Sequence, residues 1–147
     1  KQIDMQLEFY RDIKKNMDEA MSWYRKALEV KPRERKASYG IGYCLNSQQK
    51  YSEAIPYLRT AIAEEATYVA AWVELGYSLY RTQAYAEAEE KLKQALVLNP
   101  KNENARYYLV LLYVTQKNKT KAQEQVDALK KIDSKYVAEL QAKVNTI

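Results

Sequence analysis

The sequence predicts an all-α fold: a right-handed solenoid of about four 34-residue helix-turn-helix units closed by a C-terminal capping helix. Three observations carry that expectation. Turn formers are scarce, with three Gly and three Pro in 147 residues, where a sheet protein rich in turns normally needs more. The sequence matches itself when displaced by 34 residues. Within each displaced segment, apolar residues recur at i, i+3, i+4 and i+7, the spacing of one helix face.

The displacement defines four units, 1–34, 35–68, 69–102 and 103–136, and a tail of about 135–147. Ala20, Ala54, Ala88 and Ala122 form one series. Ala27, Ala61 and Ala95 form a second, with Leu129 in the fourth place. Tyr24, Leu58, Leu92 and Val126 form a third; Leu7, Ile41, Leu75 and Leu109 form a fourth, followed directly by Gly42 and Gly76 in the middle units. Unit 69–102 is the clearest. Trp72, Leu75, Gly76 and Leu79 share one face of a first helix, and Tyr85, Ala88, Leu92, Ala95 and Leu96 share one face of a second. Asn99 precedes Pro100, which pushes it out of the α region and ends that helix.

Unit 35–68 keeps Ile41, Gly42, Leu45, Ala54, Leu58 and Ala61 but has Ser38 in place of Trp72 and Ala66 in place of Pro100. Pro56 falls early in the second helix of its unit, near the first turn, where a missing N–H costs least. Unit 1–34 has a regular second helix (Ala20, Tyr24, Ala27, Pro32) and an irregular first one, with Asp4, Glu8 and Arg11 at apolar or small places. Unit 103–136 has Arg106, Val110 and Ser134 where the third unit has Trp72, Gly76 and Pro100 or its neighbours. In the tail, Tyr136, Val137, Leu140 and Val144 lie on one stripe, as a capping helix requires. Gly76 with Ala88 lets the helices of one unit approach closely, and stacked neighbours bury the faces that a lone hairpin leaves exposed.

Composition narrows the chemistry. With no His and one Cys, Ser–His and Cys–His catalysis, His-bearing metal sites, thiolate zinc clusters and an internal disulfide are excluded. No enzyme activity, metal or cofactor is expected. The net charge of +5 divides into +3 over 1–36, −2 over 37–100 and +4 over 101–147, with acids interspersed. That is a solvated surface rather than a nucleic-acid face. No apolar run reaches the ~20 residues of a membrane span, and no signal-peptide core is present. The chain starts at Lys1 rather than Met, which leaves open a fragment whose targeting segment is missing, so the compartment is not legible.

The 34-residue period and the W-x2-L-G pattern of Trp72, Leu75 and Gly76, with Leu79, Ala88, Leu92, Ala95 and Pro100, resemble the tetratricopeptide repeat family. The resemblance covers about nine-tenths of the chain and is specific for fold. It implies a non-catalytic protein-interaction scaffold that holds an extended or helical peptide along the first helices of its units, in a concave groove. Carried onto this sequence, the groove places include Lys36, Tyr39, Tyr43 and Asn46 in the second unit, Tyr77, Tyr80 and Arg81 in the third, and Asn104 and Tyr107 in the fourth. Glu74 and Tyr108 lie alongside, and the groove is Tyr-rich, a composition favoured at binding surfaces. Tyr24, Tyr51, Tyr57 and Tyr85 read more simply as packing, as does Cys44, and Glu64, Glu65, Glu87, Glu89 and Glu90 as a solvated face.

Co-chaperones of this family clamp the acidic tail of heat-shock chaperones with Lys, Asn and Arg. The equivalent places here hold Met5, Phe9, Gly40, Ala70 and Glu74, or, one unit on, Tyr39, Tyr43, Glu74, Asn104 and Tyr108. Neither register supplies the cationic clamp. The expected partner is a protein or peptide of another kind. The alternative is a structural self-assembly module, one piece of a longer superhelix, with a homo-oligomer formed through the first helix or the groove.

Overall fold

The computed structural model describes the backbone of residues 2–147 and the side chains of residues 11–147. Eight helices and no strand occur among the described residues: α1 (Gln2–Val30), α2 (Arg35–Ser47), α3 (Tyr51–Glu64), α4 (Val69–Arg81), α5 (Tyr85–Leu98), α6 (Glu103–Thr115), α7 (Lys119–Lys131) and α8 (Val137–Val144). They form two compact units, Lys1–Ala66 with α1 to α3 and Thr67–Ile147 with α4 to α8.

The pairs α2–α3, α4–α5 and α6–α7 are each joined by one recurring turn. Gln49, Gln83 and Lys117 stand 34 residues apart and hold φ of 63°, 67° and 58°, the left-handed region that closes a helix end. The next N–H then reaches back to a carbonyl of the helix just finished: Lys50 to Leu45 and Ala84 to Leu79 at 2.8 Å, Asn118 to Tyr113 at 2.8 Å. Asp133, with φ 51°, repeats the turn before α8, where Ser134 N–H bonds Leu129 O. None of these residues is Gly, so each turn carries a backbone cost that packing offsets.

In the second unit α4 packs on α5 through Gly76. A Cβ built on Gly76 would stand 2.6 Å from Leu92 Cγ, so the glycine is what lets the helices approach this closely. Gly42 meets Leu58 in the same way in the first unit, at 2.5 Å. Leu75, Leu79, Ala88, Leu92 and Ala95 are buried around the contact. Val73, Ala95 and Ala105 form a core with Trp72, Leu96 and Tyr108 at its margin, joining α4, α5 and α6. Lys91 Nζ lies 5.5 Å from the Trp72 ring and screens its exposed side. α5 ends at Leu98, with Asn99 extended (φ −143°, ψ 94°), as the residue before Pro100 must be. Asn102 then caps α6 by accepting from Ala105 N–H at 2.9 Å, and Asn118 caps α7 from Lys121 N–H at 3.1 Å.

The first unit departs from the expected helix-turn-helix at 1–34. Residues 2–30 form one continuous helix, α1, with no reversal at Lys15. The physical reason is legible in Glu8 and Arg11, which occupy the sequence places of Gly76 and Leu79. Folding back would bury both charges without partners, at a cost no hairpin contact recovers. The side chains of Asp4 and Glu8 lie outside the described residues, and Arg11 is exposed. The C-terminal half of α1 packs on α2 through Met21 and through Tyr24, whose ring lies against Gly40. Glu34 caps α2 by accepting from Ala37 N–H at 2.6 Å, and Arg33 and Arg35 pair with Glu64 and Glu65 at the far end of α3.

Two predictions follow from this packing. Gly76→Val drives a branched side chain into Leu92 and should cost about 1–3 kcal/mol by overpacking, read as a lowered melting temperature. Deleting residues 135–147 removes Leu140 and Val144, both fully buried against α6 and α7. At about 1.5–3 kcal/mol for each buried aliphatic side chain, the truncated chain should melt earlier and associate, while α4 and α5 still form their hairpin.

Candidate peptide-binding surface

The expected groove residues fall on both units. On α2, Lys36 is exposed and Tyr43 is 47% exposed, with the half-buried Tyr39 ring 6.1 Å away and tilted by 35°. Asn46 is not on this surface. It is only 4% exposed, because its place on α2 turns it inward beside Leu45, and it is corrected from candidate ligand contact to buried polar residue. Cys44 is buried as well, and burial, with Asp18 nearby, raises its thiol pKa, so it packs rather than reacts.

On the second unit the residues converge. α4, α6 and α8 lie side by side, and their tyrosines form a chain of contacts. The Tyr77 ring of α4 stacks on Tyr108 of α6 at 4.5 Å. Tyr107 meets Tyr108 edge-on at 5.8 Å and Tyr136, at the start of α8, at 5.0 Å. Tyr80 joins its hydroxyl to Thr115 Oγ1 at 3.1 Å and its ring lies 6.1 Å from Tyr85. Arg81 and Asn104 are exposed at the margins of this layer.

The Tyr107 hydroxyl donates to Glu139 Oε1 at 2.8 Å. Burial first, then that bond and the Glu139 charge, push the Tyr107 pKa up to about 12. The hydroxyl therefore stays a neutral donor through the whole physiological range. Tyr113, six residues further along α6, is a different case: it is 2% exposed, its pKa is raised by burial and Glu89, and it belongs to the core.

Tyr136 and Glu139 complete this surface although the 34-residue period does not point to them. They sit in the capping segment, outside the repeat, so no series of matched positions reaches them. Arg106, the residue standing where Trp72 stands in the preceding repeat, is explained by its bonds. Its guanidinium donates to Gln125 Oε1 and to Pro100 O, both at 2.9 Å, pinning the corner before α6 to α7. The acidic stretch of α5 is a solvated face, with Lys93 on Glu89 at 3.0 Å and Lys91 on Glu90 at 3.3 Å.

One model of the tetratricopeptide repeat matches residues 16–68 and 47–103, and a second matches 79–144. The chain belongs to the tetratricopeptide repeat family. It is therefore a protein-interaction scaffold of the tetratricopeptide type, a family of typically non-catalytic modules. Among solved structures, YrrB, described as a TPR protein with an unusual peptide-binding site, is 23% identical with a TM-score of 0.76, over 92% of this chain and 69% of that one. A MamA structure is 23% identical with a TM-score of 0.75, over 90% of this chain and 72% of that one. MamA from Desulfovibrio magneticus RS-1 is 20% identical with a TM-score of 0.70, over 93% and 73%. At these identities the likeness establishes the fold. No curated protein matches the sequence. Among the described residues, no helix is long and apolar enough to cross a membrane.

The neutral Tyr107 gives a pH test. An unfolded tyrosine ionises near 10, whereas folded Tyr107 holds its proton to about 12. Its contribution is complete below pH ~10 and is lost as the pH rises toward 12. The melting temperature should fall over that window, and Tyr107→Phe should flatten the fall; equal slopes in the two proteins would exclude Tyr107 as a source.

Proposed function

We propose that the tyrosine layer of α4, α6 and α8 binds an extended or helical peptide segment of a partner protein. One observation carries the reading. Tyr77, Tyr107, Tyr108 and Tyr136 form an unbroken series of ring contacts across three helices, and each of the four residues is only partly buried. Tyrosines offer large apolar area at low entropy cost and keep hydroxyls for hydrogen bonds. Tyr80 and Thr115 at one end and Glu139 at the other already hold their hydroxyl and carboxylate in place, so a ligand would find the surface pre-organised. Exposed Arg81 and Asn104 supply polar anchors for a peptide backbone or an acidic side chain. Lys36, Tyr39 and Tyr43 form a smaller tyrosine surface on α2 that serves the same role for the first unit.

A randomised peptide display library selected on the purified chain tests this. Selected peptides should carry apolar or aromatic residues. Tyr80→Ala and Tyr107→Ala should each weaken them by about 1–2 kcal/mol, roughly tenfold in Kd, with helicity retained. Peptides unaffected by both changes would place binding elsewhere. The alternative, a structural self-assembly module that is one piece of a longer superhelix, draws on the exposed face of α1.

A further inference from the structure

On α3, α5 and α7, Ala54 and Ala61, Ala88 and Ala95, and Ala122 and Leu129 are fully buried against the helix that precedes each. α1 has the same places, Ala20 and Ala27, and among the described residues no helix covers them; both are only half-buried. Beside them on the same stripe, Trp23 is 69% exposed, Val30 88% and Ile13 43%. These are three of the six large exposed apolar side chains among the described residues, and they fall on one helix. Ile13, Asn16, Ala20, Trp23, Ala27 and Val30 follow alternating spacings of three and four, the seam of a helix that packs along its length on another. The face that holds α2 is separate and uses Met21 and Tyr24. Residues 2–14 of the same chain cannot cover the seam as a hairpin, because Glu8 and Arg11 stand where Gly76 and Leu79 make that contact possible.

We propose that the seam is covered by the same seam of a second copy of this chain, in an antiparallel pair of α1 helices about a two-fold axis. That arrangement sets Ala20 opposite the second copy's Trp23, Asn16 opposite its Ala27 and Ile13 opposite its Val30. The large indole so lies over a small residue, twice by symmetry. Glu19, flanking the seam on one side, comes beside the second copy's Lys26, and Lys26 beside its Glu19, giving two opposite-charge pairs. A parallel pair would instead set Trp23 against Trp23 and Asn16 against Asn16 and would leave Glu19 facing no cation. Within one chain, Lys26 Nζ already covers the exposed Trp23 ring at 4.8 Å, so the cation and the indole are placed together for the contact. The inference concerns the first unit and stands apart from peptide binding on the second.

Sedimentation of the full chain over a micromolar concentration series tests it. The weight-average mass should climb from 17.2 kDa toward twice that value. Trp23→Glu should hold the chain at the monomer mass with its helicity unchanged, since Trp23 is exposed within one chain. Glu19→Lys and Lys26→Glu should each raise the dimer dissociation constant about tenfold, and the double reversal should restore it. A monomer at every concentration would mean that some other occupant covers α1 and would overturn the proposal. So would a dimer indifferent to Trp23→Glu, or a double reversal no tighter than the single changes.

Discussion

How closely two consecutive helices approach decides nearly everything else in this chain. Where Gly42 meets Leu58 and Gly76 meets Leu92, the missing Cβ of the glycine is filled by leucine. That contact lets Ala54, Ala61, Ala88 and Ala95 become fully buried, and their burial supports a turn at a left-handed Gln that local preference opposes. The α6–α7 pair reaches the same end with a different split of volume. Val110 replaces the glycine and Val126 replaces the leucine, both fully buried, so one side chain grows as the other shrinks. In the first unit Glu8 and Tyr24 occupy the two places, and both are large. No compensation is available, and α1 runs straight through the position of the turn.

That comparison shows why most of the fold was legible in the sequence and where it was not. Period, helix faces and turn places are properties of residue type and spacing, and two helices occur in each of 35–68, 69–102 and 103–136. The hairpin expected in 1–34 rested on the regular half of that unit, Ala20 to Pro32, and gave the charged half too little weight. Lys15-Asn16 repeats the Lys117-Asn118 pair at which α6 turns into α7, so local turn chemistry was present and was overridden by the absence of anything to pack. Local sequence proposes a turn; tertiary burial decides whether it is made.

The candidate site divides along the same line. Positions that recur every 34 residues were readable, and Tyr77, Tyr80 and Tyr107 lie on one layer of helices as their register requires. Asn46 was misjudged because the family register gives the side of a helix only coarsely. A residue at the margin of α2 turned inward instead of outward, where Arg81, at the following place one repeat on, is exposed. Tyr136 and Glu139 were unreadable for a different reason: α8 is outside the period, and nothing in the repeat predicts which of its residues will face α6.

The capping helix consequently has two roles that depend on each other. Its buried side, Leu140 and Val144, closes the apolar end of α6 and α7. Closure fixes the rotation of α8 about its own axis, and that rotation is what presents Glu139 to the Tyr107 hydroxyl and Tyr136 to the Tyr107 ring. Gln123 and Gln141 exchange hydrogen bonds at 2.8 Å in both directions, which locks α8 against α7 at the opposite side. Burial first, and then the bond to Glu139, raise the Tyr107 pKa, so the hydroxyl stays a donor even in alkaline solution. The orientation of the Tyr107 ring and hydroxyl thus rests on contacts that the seated cap supplies. Stability at the end of the array and the chemistry of its surface are thus set by the same segment, α8 with Tyr136 at its N-cap.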